Sequence, residues 1–188
     1  MQTYVALLRG INVGGNNMIS MKALKASFER LSFKQVATYI NSGNILFKSK
    51  TGDARKLEAK IEKMLVAEYD LGCKVVVRTA DEMAALVASL PSSWQDDKDW
   101  RYNVIFLRHA IDSKAILEVF QPKPDIEHLR YVPGALLWWA RAADVNRTSL
   151  QKLLSQKVFR EMTVRNANTT RKLHALMQKM AEAKPSGN

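Results

Sequence analysis

The sequence predicts an α+β protein of two α/β subdomains: the first ferredoxin-like (βαββαβ), the second a related βαββα unit followed by a C-terminal helix. Three observations predict this. Short apolar runs of strand length alternate with longer stretches of helical period. The runs "QVATYI" and "NILFKS" are separated only by "NSG", a hairpin signal. The order then restarts about 95 residues further on, where "IFLRHAI" resembles "ALLRGIN" and "YVPGALLWW" resembles "YINSGNILF". The expected division is residues 1–90 for the ferredoxin-like subdomain with a linking helix, and 101–188 for the second subdomain with its basic C-terminal helix.

Residues 2–9 read as a strand, continuously apolar at its centre and so covered on both faces. "SMKALKASFERL" places Met21, Leu24, Phe28 and Leu31 at helical spacing behind Ser20, a natural N-cap. The hairpin follows, with Gly43 suited to the left-handed conformation. "DARKLEAKIEKMLVAEY" is a helix burying Leu57, Ile61, Met64 and Leu65, and "CKVVVR" is the fourth strand. The linking helix opens with a capping box, Thr79 and Glu82, and buries Met83, Leu86, Val87 and Leu90. Beyond the polar connector "PSSWQDDKDW", "YNVIFLR" is a strand, "SKAILEVF" a helix, "HLRYV" and "LLWWAR" a hairpin pair, and "SLQKLL" a helix. Trp138 and Trp139 are adjacent on a strand and must point to opposite faces. The simplest reading buries both; the other puts one of them under a helix or against a partner chain.

The 188 residues carry a formal charge of +11, and the excess is concentrated late in the chain. From Asn146 onward, nine Lys/Arg face only Glu161 and Glu182. Such asymmetry attracts polyanions, or serves as a solvated helical face. Apolar runs fall far short of the roughly 18 residues of a spanning helix, no leader-like pattern opens the chain, and no membrane partner is expected. The single cysteine, Cys73, has no internal disulfide partner. A reducing cytoplasm and an inert, buried thiol are therefore expected.

Two glycine-asparagine stretches raise the functional question. "RGINVGGNN" leaves the first strand, and "NSGN" joins the second to the third. In a ferredoxin-like sheet, strands one and two run parallel with strand three between them, so both corners emerge at one end. Arg9, Asn12, Gly14, Gly15 and Asn16 would then meet Asn41, Ser42, Gly43 and Asn44 around a shared rim near the N-terminus of a helix. That arrangement is a candidate ligand-binding site for an anion. It is equally what turns require for themselves, since Asn and Ser satisfy local backbone and Gly supplies positive φ. No P-loop is present, because Asn16 and Asn17 follow Gly15, and the spacing of Gly10, Gly14 and Gly15 does not fit the Rossmann fingerprint. A second candidate lies in "TVRNANTTRKL", where Arg165, Asn166, Asn168, Arg171 and Lys172 precede and open a helix. Contact with an anion or nucleic acid is one role for them, and helix capping by Asn168 or Thr169 the ordinary alternative.

These residues also carry a resemblance. "LLRGINVGGNN…M..L", "F..V.TYINSGNILF" and the later "T.RN.NT..KL" resemble the bacterial family called domain of unknown function 1697, over Tyr4 to Leu173. The resemblance implies an α+β protein of two subdomains, the first ferredoxin-like, and implies no reaction, cofactor or catalytic residue. The family commonly has tryptophan between the asparagines of "RN.NT", where this chain has Ala167.

His109, His128 and His174 stand apart from one another and from Cys73, so no metal site is expected. No nucleophile elbow occurs, and Asp96, Asp97 and Asp99 read as a solvated charge run. The cofactor and any catalytic residue stay unknown. The reading is a cytoplasmic binding module for nucleic acid or a phosphorylated small molecule, although the RNP signature of ferredoxin-like RNA binders is absent. The alternatives are an enzyme acting on a small polar molecule at the Gly/Asn cleft, and an oligomerising scaffold without catalysis.

Overall fold

The computed structural model describes residues 1–15, 17–95, 97–150, 153 and 156–183. Asn16 and Asp96, and half of the helix expected over 149–154 (residues 151, 152 and 154), therefore lie outside the described residues. The chain divides into two compact units, Met1–Ala84 with Lys172–Asn188, and Ala85–Arg171. The larger part of the C-terminal helix thus belongs to the first unit, whereas the sequence reading placed it with the second.

The first unit runs β1 (Gln2–Leu8), α1 (Met21–Arg30), β2 (Lys34–Tyr39), β3 (Asn44–Ser49), α2 (Ala54–Tyr69) and β4 (Val75–Thr79), and α3 (Ala80–Ala88) follows directly. The strands form an antiparallel sheet in the order β2-β3-β1-β4. Alternate residues Tyr4, Ala6, Leu8, Ile45, Phe47, Val75 and Val77 join Leu24, Phe28, Leu57, Ile61 and Leu65 of α1 and α2 in one core. Phe47 stacks on Phe33 at 4.3 Å and meets Phe28 edge-on at 5.7 Å, each contact adding about 1 kcal/mol to simple burial. The opposite faces of the same strands, including Val5, Leu7, Leu46 and Val76, are buried too. That explains why β1 reads as apolar without alternation.

Local sequence sets the element ends. Ser20 Oγ accepts from Ala23 N at the start of α1, and Asp53 Oδ1 accepts from Arg55 N and Lys56 N at the start of α2. Asp70 closes α2 in the left-handed conformation at φ 51°. The capping box of α3 forms in both directions, Thr79 N donating to Glu82 and Glu82 N to Thr79. Glutamates also close the outer margin of β4. Val75 N donates to Glu62 and Val77 N to Glu58, which project from α2 four residues apart.

The second unit contains β5 (Trp100–Leu107), β6 (Glu127–Val132), β7 (Ala135–Arg141) and β8 (Met162–Asn166), antiparallel in the order β6-β7-β5-β8. α4 (Ala167–Glu182) begins where β8 ends. Two expectations need correction. The segment expected to be a helix at 113–120 is a short 3-10 turn over Lys114–Glu118, with i to i−3 bonds such as Val119 N to Ile116 O. Ser113 makes no side-chain cap, and Pro122 soon breaks the chain. The fourth strand of this sheet, β8, lies where the sequence reading gives only residues that precede and open a helix, so the unit has one strand more than the expected βαββα.

The two sheets share backbone anchors. Leu8 N donates to Gly43 O in the first, and Leu107 N to Gly134 O in the second. Arg9 N reaches Lys74 O just before β4, as Arg108 N reaches Glu161 O just before β8. The second core takes Ile105, Leu107, Leu136, Trp138, Ala140 and Met162 from its strands. Buried Glu127 accepts from Trp138 Nε1 at 2.9 Å, Lys123 N at 3.0 Å and Ser149 N at 2.7 Å, tying three segments together.

Candidate functional site

The strand order brings the two glycine-asparagine corners together. Asn12 Nδ2 donates to Asn41 Oδ1 at 2.9 Å, linking the loop after β1 to the β2–β3 turn. The same side chain clasps its own loop, accepting from Ile19 N at 2.7 Å and donating to Ile19 O at 2.9 Å. Asn17 Nδ2 donates to Gly10 O, and buried Asn44 donates to Tyr39 O and Ser42 Oγ. Arg9 is half-buried, Gly14 and Gly15 are solvent-facing, and Asn16 lies outside the described residues. Gly43 has φ +69°, and a Cβ there would lie 2.9 Å from Leu8 Cβ and 3.2 Å from Ile11 Cβ. The turn therefore requires glycine for close packing. These side chains are largely engaged in holding the corner itself. Beside them Val13, Met18 and Ile40 are exposed apolar residues.

The C-terminal candidates divide differently. Arg165 donates to Thr163 Oγ1 and Val164 O, and burial of its guanidinium pushes the pKa down to about 10. Arg171 donates to Trp94 O and Pro91 O, fastening the connector. Asn166 Oδ1 caps α4 through Thr169 N at 2.7 Å, so what it offers outward is its NH2 group. Asn168 and Lys172 are exposed. Asn166 and Asn168 line a cavity of about 250 Å³ with Gln95, Asp97, Trp100, Arg101, Tyr102 and Ala167. A second hollow of about 400 Å³ adjoins it through Gln95 and Asn168, and is walled by Trp94 and Arg171.

The cavity exists because of register. β8 pairs with β5 only from Asn103 onward, Asn103 facing Asn166, so residues 100–102 have β7 on one side and the cavity on the other. Ala167 contributes only a methyl group to the lining.

Sequence reasoning missed the aromatic row beside this cavity. Register places His128, Trp139 and Tyr102 abreast on β6, β7 and β5, with Trp100 and Arg141 paired beyond them on the same face. His128 stacks on Trp139 at 5.0 Å, Trp94 stacks on Tyr102 at 5.0 Å, and Trp100 lies parallel to Tyr102 at 6.4 Å. The Arg141 guanidinium sits over Trp100 at 5.7 Å. Trp138, by contrast, is buried in the core, so the tandem tryptophans serve opposite faces. Trp100, Tyr102 and Trp139 are half-buried; His128, Arg130 and Arg141 are exposed. Burial first, and then the Asp97 carboxylate, push the Tyr102 phenol above its ordinary range. The signal in the sequence was the alternation "W.Y" in β5 set against "W.R" in β7.

Cys73 is half-buried, and burial with the Glu62 carboxylate pushes its thiol up to about 11. That shift favours the protonated thiol at neutral pH. Among the described residues no group of three or more His, Cys, Asp and Glu is placed to hold a metal ion, and no helix is long and apolar enough to cross a membrane.

No curated protein matches this chain. A solved structure of a conserved bacterial protein from Streptococcus pneumoniae is 28% identical, with a TM-score of 0.81, over 95% of this chain and 99% of that one. A family model covers residues 1–137, including both glycine-asparagine corners and the hairpin of the second sheet as far as Leu137. The chain belongs to the family described as Protein of unknown function (DUF1697).

Proposed function

We propose that this protein binds single-stranded nucleic acid on the aromatic face of its second sheet. One observation carries the reading: Tyr102 and Trp139 sit side by side on the two central strands with Trp94 packed on both rings, Trp100 and His128 carry the row outward, and Arg130 and Arg141 share its face. Four-stranded sheets that bind RNA place aromatic side chains on their central strands, where bases stack, and basic residues where the backbone passes. The RNP spelling is absent here; the placement is what supports the reading. Net charge of +11 favours a polyanion over a neutral ligand. The same reading takes both units as ferredoxin-like copies of one ancestral repeat, supported by their common strand order and common anchors.

In this reading the glycine-asparagine corner is a structural lock, and binding belongs to the second unit. Fluorescence anisotropy with labelled single-stranded oligonucleotides tests it. Binding should strengthen steeply as salt falls, because phosphate contacts release counterions. The Trp100→Ala, Arg141→Ala double variant should weaken affinity roughly tenfold or more, since stacking contributes about 1–3 kcal/mol per base. Flat traces at about 50 mM salt would remove the proposal.

A further inference from the structure

The cavity at the head of α4 has a chemical character that the sheet face does not. Its volume of about 250 Å³ is below the ~300–1,000 Å³ of pockets for drug-sized ligands, so it suits one ring system rather than a whole cofactor. One wall is the aromatic pair Trp100 and Tyr102. The remaining polar lining is a carboxylate, Asp97, with the side-chain amides of Gln95, Asn166 and Asn168 and the guanidinium of Arg101.

The carboxylate decides what enters. A phosphate beside Asp97 would meet a like charge, so despite its helix N-terminus this is not a phosphate cradle. An ionised carboxylate only accepts hydrogen bonds, and is best used by two adjacent donors. Among the bases only guanine presents two neighbouring donors, N1–H and the 2-amino group, on its Watson–Crick edge. Adenine, cytosine and uracil each present one donor beside an acceptor. The far edge of guanine carries acceptors O6 and N7, which need donors. Asn166 offers its NH2 there, its oxygen being held by Thr169 N. Asp97 is itself positioned, Oδ1 accepting from Asp99 N at 2.8 Å, while Arg101 Nη1 ties the loop through Lys98 O and Trp100 O.

We infer that this cavity is a guanine-selective base pocket, which takes an unstacked guanine from a single strand lying on the adjoining aromatic face. The inference rests on the nucleic-acid reading above and adds a specificity to it. Bases read in this way leave their stack, lie against aromatic side chains and are recognised along their Watson–Crick edge.

The test uses the full chain and four labelled RNA heptamers, U3-X-U3, with X as G, A, C or U. The G heptamer should bind at least about fivefold tighter than the other three, as one bidentate base contact provides. Asp97→Asn should erase that advantage without weakening the other three heptamers, because it also removes a negative charge. Ala167→Trp, which puts an indole where the lining has only a methyl group, should erase it independently. Equal binding of all four heptamers, preference for another base, or a G advantage that survives both variants would overturn the guanine pocket and leave the sheet-face reading standing. No binding of any heptamer at low salt would remove the sheet-face reading, and the pocket with it.

Discussion

Gly43 does two jobs that no other residue can combine. Its positive φ turns the chain out of β2, and its missing side chain lets its carbonyl reach Leu8 N at 2.8 Å. Alanine there would incur a left-handed backbone cost of about 1–2 kcal/mol. Contact with Leu8 and Ile11 would add overpacking of similar size. Gly43→Ala should therefore lower stability by about 3 kcal/mol in urea titration; a loss below about 1 kcal/mol would mean that Leu8 and Ile11 simply yield. Glu127 is the other residue with a measurable signature. Burial alone would raise its pKa, but donors from Trp138, Lys123 and Ser149 outweigh that and hold the carboxyl below its ordinary range. A lowered folded pKa gives stability that is complete above the unfolded value, about 4.3, and is lost as pH falls through the folded one. Acid titration of Trp138 fluorescence should show that loss, and Glu127→Gln should flatten it. Gly43 was legible from "NSG"; Glu127 was not, because its three donors come from segments 4 to 22 residues away.

Among the elements, α2 acts on β4 as well as on the core. Glu58 and Glu62 lie one turn apart, on the side of α2 that meets the outer N–H groups of β4. Glu58→Ala would orphan the Val77 amide at a buried position, at a cost of about 1–3 kcal/mol, and amide exchange at Val77 should accelerate. Unchanged protection at Val77 would show that water takes over the bond. The strands and helices of the first unit were readable because each ends in its own punctuation, such as Ser20, Asp53, "NSG" and the Thr79–Glu82 box. β8 was hidden because it has none at its C-terminal end. Met162 and Val164 point inward in strand alternation, but Asn166 leads straight into α4, and the junction looks like a capped loop. The 113–120 segment failed for the opposite reason, since apolar spacing suggested a helix that had neither a cap nor length to sustain it.

At the scale of the molecule, two sheets of one strand order are used unequally. The first fills its helix-facing side with a phenylalanine cluster and locks its corner with asparagine. In the second, Asp112 makes the corresponding tie, accepting from Gly134 N and Tyr131 OH, while the opposite sheet face carries the aromatic row. The glycine-asparagine motifs, the most conspicuous words in the chain, thus mark where the fold is fastened. The row proposed to bind is inconspicuous in one dimension, because His128, Trp139 and Tyr102 are brought abreast only by register. The salt dependence of oligonucleotide binding belongs to this scale, since it reports the whole charge surplus, whereas base preference reports one cavity.

The glutamates along β4 have a consequence for life at high concentration. Val75, Val77 and Thr79 each direct an amide to a carboxylate of the same chain. A stray peptide approaching that border finds its hydrogen-bond partners already engaged. On the far border, β2 is kinked by a register shift at Gln35, whose φ is 49°, which spoils the straight template that fibril growth copies. Crowding therefore gives this sheet no seed for polymerisation while its helices stay in place.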